Sequence, residues 1–476
     1  MLPRAPYPRP SAAAIDDVKR RLDAALGPSK VRADEAALAS YASDESDQAP
    51  VQPDVVAFAS SAEDVRRALA CASEAGVPIT PRAAGSGKSG GAVPVAGGVV
   101  LATERMASIK HIDKAELTCV VEPGVVLADL HAAVEAEGLF YPPDPNSLKV
   151  CAIGGNVGEN AGGPRAFKYG VTREYVLGLE VALIDGTRLF TGRRTKKGVT
   201  GYDVTALLVG SEGTLAVTTE ATLRLVPKPP AVATLLALFS DVEGAGNATS
   251  AIIAAGLTPR CLELLDRSTL DAVRAHGLDV DARANAMLIV EVDGEESDCE
   301  RDLQRLGAAC DEAGAIDVLA AQDAAQRDRL WEGRRKLSPA TRAMAKHKIS
   351  EDVVVPRTRI VELLREVDAI SAATGVRMLT YGHAGDGNLH VNFLWDDPAL
   401  VPRVAEGLDR LFRKVVALGG TLTGEHGIGT SKSDYLELEQ GAALVDLQLR
   451  LKAAFDPRGL LNPHKIFPRR RGHGAC

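Results

Sequence analysis

The stretch Pro81-Arg-Ala-Ala-Gly-Ser-Gly-Lys-Ser-Gly-Gly91 follows a short apolar segment and contains four glycines within its last seven positions. Glycine has no Cβ atom, so a glycine-dense loop lets backbone N–H groups approach an anion or a flat ring closely. The stretch therefore predicts either a phosphate-binding loop or a backbone packed against a flat ligand.

Two common phosphate-binding motifs share residues with this loop, and neither fits it. Residues 87–89 look like the end of a Walker A motif, but that motif needs a glycine where the chain has Arg82. Three of the glycines match the dinucleotide fingerprint G-x-G-x-x-G, which requires a helix beginning inside the glycines. The following segment, residues 91–98, contains Pro94 among further glycines and cannot be a helix interior.

Apolar and polar patterns predict two units joined by a stiff linker at Pro227-Lys-Pro-Pro230. In the first unit we expect strands at 54–59, 77–81, 99–103, 117–122, 179–184 and 215–225, and helices at 11–27, 61–76 and 127–138. In the second, strands at 233–239, 287–292, 351–355 and 378–394 alternate with helices at 298–314, 357–375 and 402–418, and a last helix covers 444–455. This order indicates an α+β fold in which an α/β sandwich caps the first domain.

Composition narrows the class of protein. The length of 476 residues is too great for one ordinary core, so two domains are expected. A formal net charge of −8 argues against nucleic acid as a partner. We predict no transmembrane segment, because no apolar run of about 20 residues occurs, and residues 1–10 lack the apolar core of a signal peptide. The seven cysteines include no Cys-x-x-Cys pair, which disfavours an iron–sulfur cluster, a zinc knuckle or a disulfide framework.

The glycine loop resembles the Pro-Arg-Gly-x-Gly-Thr-Gly-x-Ser-Gly-Gly stretch of the vanillyl-alcohol oxidase (PCMH-type) flavin superfamily, in which this loop wraps the FAD pyrophosphate. Ala83, Ser86 and Lys88 replace the family's usual glycine, threonine and apolar residue. Further stretches match the same family in the same order, namely Val121-Glu-Pro-Gly124, Tyr141-Pro-Pro-Asp-Pro-Asn-Ser147, Gly154-Gly-Asn156, Asn160-Ala-Gly-Gly163, Lys168-Tyr-Gly170, Gly201-Tyr-Asp203 and Gly210-Ser-Glu-Gly-Thr-Leu215. The resemblance covers about residues 54–467 and is strongest towards glycolate oxidase flavoprotein subunits, D-lactate dehydrogenases and D-2-hydroxyglutarate dehydrogenases.

This resemblance implies a PCMH-type FAD-binding domain at 53–228 after an N-terminal helical extension at 1–52, followed by a ferredoxin-like substrate/cap domain at 229–420. A C-terminal segment at 421–468 would return to the flavin and complete the active site, and 469–476 would be a tail. The implied FAD is non-covalent, because the loop lacks the histidine that binds flavin covalently in some members. The implied FAD-binding residues are Arg82, Ala84, Gly85, Ser86, Gly87, Lys88, Ser89, Pro142, Asp144, Ser147, Gly154, Gly155, Asn156, Asn160, Gly162, Gly163, Gly213 and Asn462.

Two polar motifs in the second half indicate a metal site. Tyr381-Gly-His-Ala-Gly-Asp-Gly-Asn-Leu-His-Val391 places two histidines on either side of a tight turn, which can bring both imidazoles to one point. Two structural histidines beside a hairpin are the alternative interpretation. Thr423-Gly-Glu-His-Gly-Ile-Gly429 presents a glutamate and a histidine between glycines. Two histidines and one carboxylate form a three-ligand set with open positions, which suits zinc or manganese.

In the resembled family, the residues that match His383, His390 and Glu425 bind a divalent metal, and the residue that matches His426 is the catalytic base. The chemistry requires such a set, because a chelated metal lowers the pKa of the substrate hydroxyl. A histidine with a pKa near neutrality can then accept the proton, and N5 of FAD receives the hydride. Chelation through carboxylate and hydroxyl would select 2-hydroxy acids over plain alcohols.

The segment Trp331-Glu-Gly-Arg-Arg-Lys336 resembles a family helix whose arginine binds the substrate carboxylate, and this implies that role for Arg334. From the residues alone, a solvated basic helix face is the alternative. We assign Ser338 and Lys348 as further substrate contacts. The C-terminal Gly459-Leu-Leu-Asn-Pro-His-Lys465 matches the family's Gly-x-x-Asn-Pro-x-Lys, whose asparagine returns to the flavin.

We therefore expect an FAD-dependent, metal-assisted dehydrogenase that oxidises a D-2-hydroxy acid of the glycolate, D-lactate or D-2-hydroxyglutarate class. The electrons would pass to a separate acceptor, which is an iron–sulfur subunit, an electron-transferring flavoprotein or a quinone-linked protein. The expected location is cytoplasmic, with contact to the inner membrane only through such a partner. Three alternatives stay open: a flavin-binding electron-transfer subunit without substrate chemistry, a nicotinamide-dependent dehydrogenase, and a non-redox lyase or synthase on the same flavin fold.

Overall fold

The computed structural model describes residues 6–195, 197–275, 280–335 and 337–469. The strands are β1 Val31–Arg32, β2 Val55–Phe58, β3 Ile79–Arg82, β4 Val99–Ala102, β5 Ile109–Asp113, β6 Thr118–Val121, β7 Leu139–Phe140, β8 Val176–Ala182, β9 Arg188–Gly192, β10 Val217–Arg224, β11 Val226–Pro227, β12 Ala231–Phe239, β13 Cys261–Leu265, β14 Ala286–Gly294, β15 Ala315–Ala320, β16 His347–Val354, β17 Arg377–His383 and β18 Asn388–Trp395. The α-helices are α1 Ala12–Leu26, α2 Glu35–Ser40, α3 Ala62–Ala75, α4 Leu127–Ala136, α5 Ile153–Glu159, α6 Ala166–Tyr169, α7 Val204–Leu208, α8 Val242–Ala254, α9 Arg267–Ala275, α10 Glu296–Glu312, α11 Ala324–Arg335, α12 Leu337–Ala343, α13 Ile360–Thr374, α14 Val401–Ala417 and α15 Leu436–Phe455. Within the described ranges, no helix has the length and apolarity that crossing a bilayer requires.

Helices α1 and α3 begin and end at the capping residues that the sequence predicts. The Ser11 hydroxyl accepts a hydrogen bond from the Ala14 N–H at the start of α1, and Gly27 ends this helix with a φ of 89°. Ser61 caps α3 in the same way, and Gly76 closes it in the left-handed conformation. A serine oxygen satisfies one of the unpaired N–H groups of a first helical turn, and glycine reaches positive φ without strain. Both predicted helices are confirmed.

The first half of the chain contains two larger sheets, with strand orders β1-β2-β4-β3 and β5-β6-β10-β8-β9. β4 runs parallel to both β2 and β3, whereas the five-stranded sheet is antiparallel throughout. The predicted strands are confirmed, although the strand expected at 179–184 already begins at Val176. The sequence patterns do not predict β5 and β9, because these two edge strands bury few side chains and lack an apolar run.

The second half forms one antiparallel sheet with the strand order β15-β12-β14-β13-β17-β18-β16, which we call the cap sheet. Helices α8, α10, α13 and α14 cover one face, and their apolar side chains share a single core with the strands. The prediction of one long strand at 378–394 is wrong, because residues 384–387 turn the chain between β17 and β18, with Gly387 at a φ of 85°. This α/β layer is the expected cap over a first domain of the PCMH type.

Two segments connect the halves: the predicted linker and the chain that follows α15. The predicted linker begins attached to the first half, because Val226–Pro227 pairs with Leu139–Phe140. Helix α15 begins earlier than the expected 444 and bends at Gly441, where φ is 73°. Beyond α15 the chain returns to the first half, where Leu461 forms a parallel bridge with Ile79. Except for its first residue, the predicted tail at 469–476 lies outside the described residues.

Candidate active site between the glycine loop and the cap sheet

A cavity of about 930 Å³ lies between the first half and the cap sheet. One side, which we call the glycine wall, consists of lining residues within 82–92, 144–165 and 211–218. The opposite side, the acid–histidine wall, consists of Tyr381, His383, His390, Glu425 and His426. Residues as far apart in the sequence as Arg82 and His426 therefore line the same cavity.

Most of the predicted FAD-binding residues line this cavity, namely Arg82, Ala84, Gly85, Ser86, Gly87, Lys88, Asp144, Ser147, Gly154, Gly155, Asn156, Gly162 and Gly213. A Cβ added at Gly155 would meet no other atom within 4 Å, so the backbone there borders open space. Burial raises the pKa of Asp144 to about 6, even though Arg165 and Arg260 oppose that rise. A wall of bare backbone beside open space fits a flat cofactor such as the predicted FAD.

The other predicted FAD-binding residues lie behind the lining, namely Ser89, Pro142, Asn160, Gly163 and Asn462. The Asn462 amide donates hydrogen bonds to the carbonyls of Gly91 and Glu212, at 3.1 and 2.7 Å. Gly163 has a φ of 126°, and a Cβ there would stand 2.6 Å from the carbonyl oxygen of Asp144. These residues support the shape of the glycine wall instead of forming its surface.

The hairpin β17–β18 brings two histidines to the acid–histidine wall. Tyr381 pairs with His390 across the hairpin, and His383 lies two residues further on the same face. Glu425 lies on the loop that follows the bridge between Val354 and Thr421. Its Oε1 lies 3.6 Å from Nε2 of His383 and 3.6 Å from Nε2 of His390.

The three side chains of His383, His390 and Glu425 fit a divalent ion. Their ligand atoms all lie within 4.8 Å of one another, and two imidazoles with one carboxylate suit zinc or manganese. Among the described residues, Oε2 of Glu425 is buried without a hydrogen-bond partner. A buried carboxylate oxygen without a partner is unusual, and a bound cation would satisfy it.

Glu263 on β13 lies next to His383 and belongs to none of the sequence motifs. One of its carboxylate oxygens is hydrogen-bonded to Nδ1 of His383, and the other accepts from Nε of Arg334 at 2.6 Å. Burial raises the pKa of Glu263, but the charges of Arg334 and His383 outweigh burial and hold that pKa at about 2. Burial also disfavours protonation of His383, but Glu263 and Glu425 raise its pKa well above the ordinary value. With Nδ1 engaged by Glu263, Nε2 faces Glu425.

His390 and His426 are electrostatically different from His383. Burial lowers the pKa of His390 to about 3, and burial also lowers the pKa of His426. The two rings are stacked with centroids 5.4 Å apart and planes inclined by 16°. Both imidazoles are therefore neutral at pH 7, and a neutral imidazole can bind a metal or accept a proton.

The structure brings two of the three predicted substrate-binding residues to the cavity. Arg334 and Ser338 line it, whereas Lys348 does not. Arg334 is only 7% exposed, so the alternative of a solvated basic face is wrong for this residue. Lys348 is buried and donates from Nζ to the Thr341 hydroxyl at 2.6 Å, and burial lowers its pKa to about 7.

The glycine wall contains two acids, Glu159 and Glu212, to which the sequence motifs assign no role. Glu159 and Glu212 both line the cavity. Glu212 accepts hydrogen bonds from the N–H groups of Ile428 and Gly429, both at 2.7 Å. Burial raises the pKa of Glu212 to about 7 and raises that of Glu159 well above its ordinary value. The available signal in the sequence is an acid between glycines, in Gly158-Glu-Asn-Ala-Gly162 and Gly210-Ser-Glu-Gly213.

Comparisons with known proteins identify the family of both halves of the chain. Residues 53–192 match the family described as FAD binding domain, and residues 228–466 match FAD linked oxidases, C-terminal domain. The glycolate oxidase subunit GlcD of Bacillus subtilis (strain 168) is 42% identical over 454 residues, covering 95% of this chain and 97% of the relative. A D-lactate dehydrogenase of Anaerostipes hadrus is 35% identical over 426 residues, covering 87% of this chain and 90% of the relative.

The solved structure of p-cresol methylhydroxylase with bound substrate aligns with a TM-score of 0.82 at 16% identity, over 97% of this chain and 98% of that chain. At this identity the likeness shows the fold, which is the predicted PCMH-type architecture with an α/β cap. The match to an FAD-binding domain also argues against the nicotinamide-dependent alternative. The chain belongs to the FAD-linked oxidase family and is an FAD-linked oxidoreductase related to glycolate oxidase subunits and D-lactate dehydrogenases.

Proposed function

We propose that the protein oxidises a D-2-hydroxy acid of the glycolate, D-lactate or D-2-hydroxyglutarate class to the 2-oxo acid, with the assistance of a divalent metal. The observation that carries this proposal is the convergence of His383, His390 and Glu425 on the wall that faces the glycine loop. Two relatives are named for glycolate and D-lactate, which are both 2-hydroxy acids.

In this proposal His383, His390 and Glu425 hold zinc or manganese, and the glycine wall holds FAD without a covalent bond. When bound, the two groups would supply a hydride acceptor and a positive charge that favours the ionised form of a chelated hydroxyl. His426 lines the same cavity and is the proposed base, because burial keeps its imidazole neutral and able to take the hydroxyl proton.

Arg334 is the proposed partner of the substrate carboxylate. Its Nε is held by Glu263, and its guanidinium lies 5.0 Å from the centre of the Tyr381 ring. A planar guanidinium that is already oriented can bind a carboxylate through two parallel hydrogen bonds. Ser338 is a proposed substrate contact, and Lys348 supports it by donating to the Ser338 carbonyl at 3.3 Å.

We propose that the electrons leave to a separate protein, which is an iron–sulfur subunit, an electron-transferring flavoprotein or a quinone-linked protein. The relative from Bacillus subtilis is named as a subunit. The sequence contains no Cys-x-x-Cys pair for a cluster of its own. The division into an extension at 1–52, an FAD-binding domain at 53–228, a cap at 229–420 and a completing segment at 421–468 belongs to the same proposal.

The test is an anaerobic mixing experiment with the purified, metal-replete, FAD-loaded protein. A panel of D- and L-2-hydroxy acids is added, and the visible flavin absorbance is followed. We expect a D-acid to bleach the flavin, a chelator to abolish the bleaching, and zinc or manganese to restore it. His426→Ala should slow bleaching by roughly 100-fold or more, as expected for removal of a general base.

His111→Ala is the matched control, because the His111 side chain is 64% exposed on β5 and does not line the cavity. It should bleach at the wild-type rate. Flavin that no hydroxy acid bleaches would instead favour the electron-transfer subunit or the non-redox alternative. Bleaching at the wild-type rate in His426→Ala would refute the assignment of the base alone.

A further inference from the structure

Asp352 on β16 is a fully buried carboxylate that contacts the loop carrying Glu425 and His426. Its Oδ2 accepts a hydrogen bond from the Thr423 hydroxyl at 2.9 Å. The same oxygen accepts from three consecutive backbone N–H groups, those of Gly424 at 2.8 Å, Glu425 at 2.8 Å and His426 at 3.0 Å. Successive N–H groups that converge on one anion form a backbone concavity whose conformation depends on that anion.

The loop has little freedom to move away from this carboxylate. A Cβ at Gly424 would stand 2.5 Å from Nδ2 of Asn388 and 2.8 Å from Cγ2 of Val354, so the loop backbone lies directly against two strands of the cap sheet. Gly427, the residue after the proposed base, has a φ of 80°. A Cβ at Gly427 would stand 3.0 Å from Oε1 of Glu212, so the loop lies between the cap sheet and the glycine wall.

The second oxygen of Asp352 faces the other half of the proposed metal site. Asp352 is paired with His390 across β16 and β18, and its Oδ1 lies 3.9 Å from Nδ1 of His390. Among the described residues this oxygen has no hydrogen-bond partner.

We propose that Asp352 is the positioning residue of this site. Its Oδ2 fixes the backbone from which Glu425 and His426 project, and its Oδ1 lies next to His390. It thereby sets the separation between the third proposed metal ligand and the two histidines. It also sets the direction of the proposed base relative to the metal. This inference rests on the proposed function, because it concerns the residues that would hold the metal.

The neighbouring Glu351 is a second buried acid on β16, and we assign it no positioning role. It lies on the opposite face of β16, is 8% exposed, and its Oε2 lies 3.3 Å from Nζ of Lys432. Among the described residues, no hydrogen bond or ion pair joins its carboxylate to the loop at 423–426 or to a proposed ligand. Glu351→Gln is therefore a matched control for Asp352→Asn, since each replaces one buried carboxylate on one strand by its isosteric amide.

The experiment compares the wild type, Asp352→Asn and Glu351→Gln as full-length, FAD-loaded proteins. The dissociation constant for Zn²⁺ is measured by competition with a fluorescent chelator, and the flavin content and thermal midpoint are recorded for each. We expect Asp352→Asn to weaken Zn²⁺ binding by roughly 10–100-fold, the usual effect of removing a group that orients metal ligands. Glu351→Gln should bind Zn²⁺ as the wild type does, at a comparable thermal midpoint.

Flavin reduction by a hydroxy acid gives a second readout. At saturating Zn²⁺, the rate constant of Asp352→Asn should fall while the substrate concentration for half-saturation stays near the wild-type value, because Arg334 is untouched. If Asp352→Asn does not fold, Thr423→Val is the second variant. It removes one of the four donors to Oδ2 and keeps the Asp352 carboxylate in place, and Zn²⁺ binding should again weaken.

Equal Zn²⁺ affinity in the wild type and in these variants would overturn the role of Asp352 and leave the proposed function intact. A wild type that binds no Zn²⁺ or Mn²⁺ would overturn both. A loss of affinity as large in Glu351→Gln as in Asp352→Asn would also overturn the proposal, since it would show a general effect of buried charge on β16.

Discussion

The two walls of the cavity are built in opposite ways. The glycine wall obtains its shape from missing side chains, as at Gly155, where the backbone borders open space. The acid–histidine wall obtains its shape from buried charges that hold one another, as where Glu263 engages both His383 and Arg334. A substitution in the first wall acts by adding volume, whereas a substitution in the second acts by leaving a charge without its partner.

This difference also separates local from distant determinants. The glycines of residues 85–91 follow one another in a single loop, whereas Glu263 and His383 are 120 positions apart. The contact between Asp352 and the Glu425 N–H spans 73 positions. The chemistry of the acid–histidine wall therefore depends on the register of the cap sheet, and the shape of the glycine wall depends mainly on its own turns.

The largest effect should follow from Glu263→Gln. The substitution leaves the buried Arg334 without its charged partner and removes one of the two carboxylates beside His383. Breaking a buried ion pair typically costs about 3–5 kcal/mol of unfolding free energy. Urea denaturation of the FAD-loaded protein measures the change. Glu74→Gln is the contrast, because Glu74 and its partner Arg21 are 62% and 41% exposed, and exposed pairs contribute about 1 kcal/mol or less. Equal losses in the two variants would contradict the claim that burial makes the Glu263 pair important.

A smaller effect of a different kind is expected from alanine at two glycines of the first half. Gly163→Ala forces a positive φ on alanine and places its Cβ 2.6 Å from the Asp144 carbonyl, which should destabilise the fold by about 2–3 kcal/mol. Gly155→Ala meets no protein atom within 4 Å, so the unfolding free energy of the FAD-free protein should hardly change. Its methyl group enters the cavity, and FAD binding should weaken.

Urea denaturation and FAD titration of both variants distinguish these two uses of glycine. Wild-type FAD affinity in Gly155→Ala would show that this part of the glycine wall does not contact the cofactor. Unchanged stability in Gly163→Ala would show that the backbone there relaxes.

The smallest expected effect concerns Glu212, which lies where the two walls meet. Burial raises its pKa from 4.5 to about 7, with Glu159 beside it, so its folded form binds a proton more readily than its unfolded form does. Its contribution to stability is therefore fully present below pH 4.5 and is lost as the pH rises through about 7. The thermal midpoint of Glu212→Gln should fall less between pH 5 and pH 8 than that of the wild type. Glu116→Gln, at an exposed position, should keep the wild-type dependence. An unchanged profile in Glu212→Gln would contradict the assignment.

Much of the candidate site could be predicted because its signals are short-range. His383 and His390 flank one turn, and Glu425 and His426 are adjacent between glycines, so each pair is visible in a few residues. Glu263 and Asp352 could not be assigned in this way, because each lies in a strand whose neighbours look ordinary. The usable signal is an acid inside an apolar strand, as in Cys261-Leu-Glu-Leu-Leu265 and Ile349-Ser-Glu-Asp-Val353. Such an acid is costly to bury and therefore needs a partner.

Secondary structure was likewise predictable where its signals are short-range, and less so where burial in a sheet decides it. The caps of α1 and α3 are local hydrogen bonds and were predictable from Ser11 and Ser61. The apolar pattern alone predicted one strand at 378–394, because both strands of this hairpin are buried and lack the alternation that marks a half-exposed sheet. The histidine motif inside the same segment predicted the turn. Edge strands such as β9 bury too little to leave an apolar signal.

The sequence by itself determined the local features of this protein: the glycine loop, the histidine hairpin, the helix caps and the family resemblance they support. These depend on backbone freedom and on hydrogen bonds between residues a few positions apart. Only the tertiary structure decided that Asp352 holds the Glu425–His426 loop and that Glu263 joins His383 to Arg334. The physical reason is that buried charges choose partners by distance in space, and the pairing of strands in the cap sheet sets those distances.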